Sequence, residues 1–175
     1  MVREINEGIL IWCLPAAIAL HNLEEAIWLP GWTQKTTVRW GKTVRCRSFR
    51  FAVSVLTSMA FLAAAWVQVR GLGSMGHYVL ASYALGQGLN IFFPHLVAAV
   101  VTRSYAPGLA TGVLFVLPSG SAFLVHGLTE GWLRFGRLMA VAGIFIPLMF
   151  LSIGLLFRLG RLFNAGGFSA RRRKR

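Results

Sequence analysis

Aspartate is absent from the 175-residue chain, glutamate occurs five times and cysteine twice. Cys13 sits in an apolar run and Cys46 in a basic stretch, and no metal-type spacing joins them, so neither a disulfide framework nor a thiolate-held copper(I) or iron–sulfur site is expected. No glycine-rich phosphate loop follows a strand pattern, no internal repeat is visible, and no low-complexity segment occurs before the C-terminal tail. What the chain has instead is apolar length: 56% of its residues are hydrophobic and its mean hydropathy is +0.64.

A bilayer core of about 30 Å takes about 20 helical residues per crossing. Five runs of that order occur, at residues 8–30, 50–69, 77–101, 109–133 and 138–158, leaving little chain for a soluble domain. The expected fold is an all-α, polytopic membrane bundle of five transmembrane helices, a single domain over residues 1–175 that ends in a basic tail, 159–175. The 18 Lys and Arg give a net charge of +13, which in a soluble protein would suggest nucleic acid. Their placement argues otherwise. Fourteen of the 18 lie between the first and second runs, at Arg103, or from Arg158 onward, all on one side of a five-span topology. Arg3, Arg70, Arg134 and Arg137 lie on the other. By the positive-inside rule the N-terminus is outside and the C-terminus cytoplasmic, and an odd number of spans agrees with that asymmetry. The expected partners are the lipid bilayer and anionic headgroups at the basic tail, with no nucleic acid, and the expected location is a membrane whose cytoplasmic face meets that tail. Ala17-Ile18-Ala19 fits a signal-peptidase site, but Glu4 and Glu7 give the start the wrong charge and the apolar run continues beyond the cut, so no cleavage is expected.

Within these spans the polar residues are few and grouped. Span one holds His21-Asn22-Leu23-Glu24-Glu25; the histidine and both carboxylates stand at i, i+3 and i+4, on one helix face. An acidic or basic residue at a helix centre costs roughly 2.5–3.5 kcal/mol on insertion scales, so such a cluster is a candidate functional site. Leu29-Pro30-Gly31 reads as the stop of this helix. Span three carries Gln87, Asn90, Pro94 and His95; Pro94 lacks the amide hydrogen that the Asn90 carbonyl would accept, which predicts a kink. His77 opens the same span beside Tyr78 and reads as interfacial. Span four has Gly108 and Gly112 at a spacing that favours close helix contact, a second kink at Pro118, and His126 with Glu130 at i, i+4. Ser119, His126 and Glu130 share a face, but seven residues of helix, about 10 Å of rise, exclude a serine–histidine–acid triad. Span five, from Leu138 to Phe157, has no ionisable residue and reads as scaffold.

The chain resembles the small membrane proteins named for their HXXEE motif, present here as His21-Asn22-Leu23-Glu24-Glu25. That family also carries an Asn-to-His element, matched by Asn90 and His95, and a His-x-x-x-Glu element, matched by His126 and Glu130. The resemblance implies a bacterial-type integral membrane protein with an undefined catalytic role. Imidazole and carboxylate donors suit zinc, iron or manganese. His21, Glu25, His95 and His126 are the candidate metal ligands; Glu24, Glu25 and Glu130 are candidate catalytic carboxylates; Gln87 and Asn90 are candidates to orient a substrate. The expected activity is that of a membrane enzyme on a lipid or other membrane-soluble substrate, the alternatives being a proton-coupled transporter, a proton relay or a non-catalytic membrane subunit. A single metal must also overcome depth: on straight helices His95 and His126 stand about 10–12 Å apart along the membrane normal. Neutral, hydrogen-bonded His–Glu pairs that merely join helices would account for the same residues without metal.

Overall fold

The computed structural model describes residues 2–36, 46–71 and 73–172, with backbone alone for 2–6, 46 and 161–172. Regular structure among them is entirely helical: α1 (Val2–Lys35), α2 (Cys46–Arg70), α3 (Met75–Asn90), α4 (Val97–Thr102), α5 (Leu109–Thr111), α6 (Leu117–Thr129) and α7 (Phe135–Arg172). A π-helical segment at Ile91–Leu96 joins α3 to α4, and another at Gly112–Val116 joins α5 to α6. Five helical stretches are long and apolar enough to cross a membrane: Glu7–Lys35, Arg47–Arg70, Met75–Thr102, Leu109–Thr129 and Phe135–Gly160. They fall on the five hydrophobic runs. Most of the basic segment after α1, residues 37–45, and the last three basic residues of the tail, 173–175, lie outside the described residues.

The Leu29-Pro30-Gly31 stop does not end α1, which runs on to Lys35. Pro30 has no N–H for the carbonyl of Ala26, and Arg50 of α2 supplies the missing donor: its Nε lies 3.1 Å from the Ala26 oxygen. The fourth span closes earlier than the hydrophobic run, at Thr129. Glu130 and Gly131 then turn the chain, the latter at φ +77°, and Leu133 folds back so that its N–H donates to the Gly127 oxygen at 2.9 Å while its side chain is buried.

Helix α1 packs chiefly on α2, and both α2 and α3 pack on α7. Large apolar side chains such as Leu62, Val69, Ile144 and Leu151 point outward, as a lipid-facing surface requires, while Leu14, Ile18, Tyr83 and Phe123 fill the interior. Two interior polar side chains find partners across helices. Tyr83 Oη donates to the Leu56 oxygen at 3.3 Å, and Asn22 Nδ2 donates to Thr57 Oγ1 at 2.7 Å. His77, near the start of α3, does not face outward: it and Tyr78 are buried, with the imidazole 4.7 Å from the Trp132 ring and stacked on Phe123. The return of the chain after α6 covers it, since Trp132 belongs to that turn.

Candidate functional site

On α1 the face that carries Leu14, Ile18, His21, Glu24 and Glu25 is buried, and the face that carries Leu20, Leu23 and Ile27 is exposed. His21, Glu24 and Glu25 therefore point into the bundle, at 0%, 5% and 7% exposure. Opposite them stands the segment Ile91–Leu96. Phe93 adopts φ −135° and ψ 110°, which breaks the helix ahead of a cis Phe93–Pro94 bond. The break swings the His95 ring back towards the last turn of α3, so that Asn90 and His95, five residues apart, meet.

The Nε2 of His95 lies 2.7 Å from Glu25 Oε1, and the Nε2 of His21 lies 3.7 Å from the same oxygen. The two imidazoles meet edge to face, with centroids 5.2 Å apart. Asn90 Nδ2 is 3.3 Å from both Nε2 atoms. One donor atom from each of His21, Glu25 and His95 lies within 4.8 Å of the others. Tetrahedral zinc with bonds of about 2.0–2.1 Å separates its ligand atoms by about 3.3–3.4 Å, and the 2.7 and 3.7 Å distances bracket that edge.

The donor inventory also suits a cation. Without a cation, Glu25 and His95 share a proton between oxygen and nitrogen, and the Asn90 amide, turned by half a rotation, closes on the same Nε2 with its oxygen; with a cation, the two imidazoles and the carboxylate each have a lone pair to give. The group could thus hold a metal.

Glu24 faces away from this centre, into the loop between α4 and α5. Its Oε1 accepts from the Tyr105 hydroxyl and, at 2.8 Å, from the Gly108 N–H; its Oε2 accepts from the Thr111 hydroxyl and, at 3.1 Å, from the Thr111 N–H. The Thr111 hydroxyl also lies 3.5 Å from His21 Nδ1, so a carboxylate–hydroxyl–imidazole chain orients the ring, as outer partners of metal-binding histidines commonly do. Gly108, at φ +95°, passes directly over the imidazoles. A Cβ there would sit 2.7 Å from His95 Cε1 and 3.0 Å from His21 Cε1, so the position needs glycine twice over, for its backbone and for its neighbours. The spacing of Gly108 and Gly112 does mark close contact. Gly108, however, lies in the turn before α5, and Gly112 rests against Ile91.

The remaining predicted residues divide. Gln87 is buried, lines a cavity with Asn22, Glu25, Asn90 and His95, and its Oε1 has no hydrogen-bond partner. His126 and Glu130 do not reach the group. His126 Nε2 lies 4.0 Å from Glu7 Oε1, fourteen residues and about 21 Å along α1 from His21. Glu130 occupies the exposed C-terminal end of α6, its N–H donating to the His126 oxygen at 2.9 Å. The depth difference between spans three and four is kept by the fold, because the kink at Phe93 turns His95 sideways without carrying it towards the far end of the bundle. Sequence reasoning did not single out Tyr105 or the site roles of Gly108 and Thr111. The signal for the loop is Pro107-Gly108 just before a span, facing a motif with one more carboxylate than the metal group takes up. It also left α7 as scaffold, although Met149, Ile153 and Phe157 line the cavity.

The family described as "Protein of unknown function with HXXEE motif" matches residues 12–123, a stretch that contains His21, Glu24, Glu25, Asn90 and His95. A relative from Bacillus subtilis (strain 168), the uncharacterized protein YrkK, is 34% identical over 144 residues, which covers 82% of this chain and 90% of that protein. No solved structure matches. The chain is a member of the HXXEE family, and the motif that names the family forms the buried His/Glu wall of its site.

Proposed function

We propose that the protein is a metal-dependent enzyme of a bacterial cytoplasmic membrane, with His21, Glu25 and His95 as ligands of one zinc, iron or manganese ion. The observation that carries this reading is the convergence of their three donor atoms beside an apolar cavity of about 260 Å³ that Glu25 and His95 line. Two imidazoles and one carboxylate leave coordination positions free for a reacting molecule, the arrangement of catalytic zinc sites and of non-haem iron oxygenases alike. A bound metal would supply Lewis-acid or oxygen chemistry in a site shielded from water. The chain's own contribution would be orientation: Glu24 and Thr111 hold His21, Gly108 closes over both rings, and Asn90 and Gln87 present amides to the substrate. Glu24 accepts from four donors and so acts as a positioning residue in this reading. The basic tail would bind anionic headgroups on the cytoplasmic side.

A proton relay would need titratable groups between this cluster and the Glu7–His126 pair. Along α1 that interval is built on Leu14 and Ile18, both fully buried, which favours the enzyme. Metal analysis of purified protein tests it. The expected result is about one Zn, Fe or Mn per chain, lost in His21→Ala and His95→Ala and kept in His126→Ala; metal-free wild type would overturn the proposal.

A further inference from the structure

The cavity at the cluster has a direction. Its inner end is polar, with Glu25, Asn90 and His95. From there it runs along α1 past Leu29 to Trp32 and Thr33, along α2 from Leu56 to Phe49, and along α7 from Met149 to Phe157. Those intervals are seven or eight residues long, about 10–12 Å at 1.5 Å per residue. Its outer end is framed by Trp32 and by Phe49 stacked on Phe157 at 5.9 Å. Lys35 follows one turn later at the end of α1, so tryptophan and a basic residue mark this end as interfacial. The inner end is central: Asn22 lies fifteen and thirteen residues from the ends of the Glu7–Lys35 stretch, and Gln87 twelve and fifteen from those of Met75–Thr102, with Glu25 and His95 one to two turns nearer the Trp32 end.

The tunnel therefore leads from the headgroup level to the middle of the bilayer, and its wall between the two ends is apolar. A lipid lying in the leaflet has its head at the outer end and its hydrocarbon pointing inward, which is the polarity the lining demands. The reverse orientation would put a headgroup at mid-membrane and cannot be filled from the leaflet without turning the molecule over. We infer that the substrate is the acyl chain of a bilayer lipid, threaded tail first from the Trp32 end, so that the cluster meets the interior of the chain and not a bond to the headgroup. A staggered chain of 1.52 Å bonds advances about 1.25 Å per carbon, so the carbons at the cluster are about the eighth to the tenth below the Trp32 level. Gln87, whose Oε1 has no partner, lies at that depth and is placed to hold a polar group on the chain.

This inference rests on the cluster being the reactive centre, but its test does not depend on metal. Vesicles of phosphatidylcholine carrying a photoreactive diazirine near the carbonyl, at mid-chain or at the chain end are mixed with the protein, irradiated, and the adducts mapped by peptide mass spectrometry. Mid-chain label should modify the peptide spanning Gln87 to His95, and near-carbonyl label should modify residues at the level of Trp32 and Phe49. The same gradient should persist in His21→Ala, so that loss of metal and loss of the tunnel are read separately. Val53→Trp or Ala52→Phe, either of which fills the passage, should reduce the mid-chain adduct at least ten-fold while leaving label on the outward-facing Leu151 and Leu155. Near-carbonyl label on the Gln87–His95 peptide, mid-chain label confined to outward-facing residues, or an adduct unchanged by both blocking variants would overturn the inference.

Discussion

Glu24 and Gly108 are the residues through which the loop after α4 governs the cluster. Glu24→Gln replaces one carboxylate oxygen by an NH2 that faces donors, leaving at least one of the Gly108 and Thr111 N–H groups without an acceptor. The expected cost is about 1–3 kcal/mol, read as a lowered melting temperature in detergent, with a metal content that falls as His21 loses its oriented partner. Gly108→Ala should act more directly. The left-handed backbone costs an L-residue about 1–2 kcal/mol, and the added methyl presses on His95 and His21, so metal binding should weaken more than stability. Equal metal content in wild type and Gly108→Ala would show that the loop does not hold the ligands. Tyr105 adds a pH dependence. Desolvation first, and then its bond to Glu24, push its pKa up to about 12 from the ordinary 10. Because the folded value is the raised one, the contribution of this hydroxyl is complete below pH 10 and is lost as pH rises towards 12. Comparison of base-induced unfolding of wild type and Tyr105→Phe should show that extra loss in the wild type alone.

At the scale of elements, the fold treats its prolines in different ways. Pro30 is carried inside α1 because Arg50 caps the carbonyl that the proline leaves open, whereas at Pro94 the helix gives way and uses the break to aim His95. The first case makes a double-mutant cycle informative. Arg50→Ala should destabilise by about 1.5–3 kcal/mol, as loss of a charged hydrogen bond does; in a Pro30→Ala background, where the new N–H serves Ala26, the same substitution should cost much less. Additive effects would mean that Arg50 acts elsewhere. These elements also mark what the sequence makes legible. Five spans follow from apolar length, and the inward face of His21, Glu24 and Glu25 follows from spacings of three and four residues. The partnership of Asn90 with His95 does not follow, because ideal helical angles hold them about 140° apart and only the extended Phe93 closes that gap. The loop clamp is hidden for a related reason: a positive-φ glycine and a tyrosine hydroxyl act on a helix more than eighty residues away, and no local pattern records such a contact.

For the whole molecule, the mouth of the tunnel and the basic charge fall on the same side. Trp32 and Lys35 close the end of α1 towards which the cavity runs, and the same side carries the loop to Arg50, Arg103 and the segment from Arg158 onward. If that side is cytoplasmic, as 14 of 18 basic residues predict, the lipid reaching the cluster comes from the inner leaflet, where anionic headgroups gather near the basic segments. Reporter fusions decide the first half of this statement: a fluorescent protein at the C-terminus should fold and emit, and alkaline phosphatase at the same point should be inactive. Leaflet-specific delivery decides the second. In proteoliposomes with the C-terminus facing outward, established by protease access, photoreactive phosphatidylcholine placed in the outer leaflet should label the Gln87–His95 peptide well before flip-flop equilibrates the lipid, and oppositely oriented protein should label only after that delay. Early labelling of the oppositely oriented protein alone would mean that the cavity fills from the other end, and equal early labelling in both orientations that it fills from both leaflets; either result would separate the charge asymmetry from the path of the substrate.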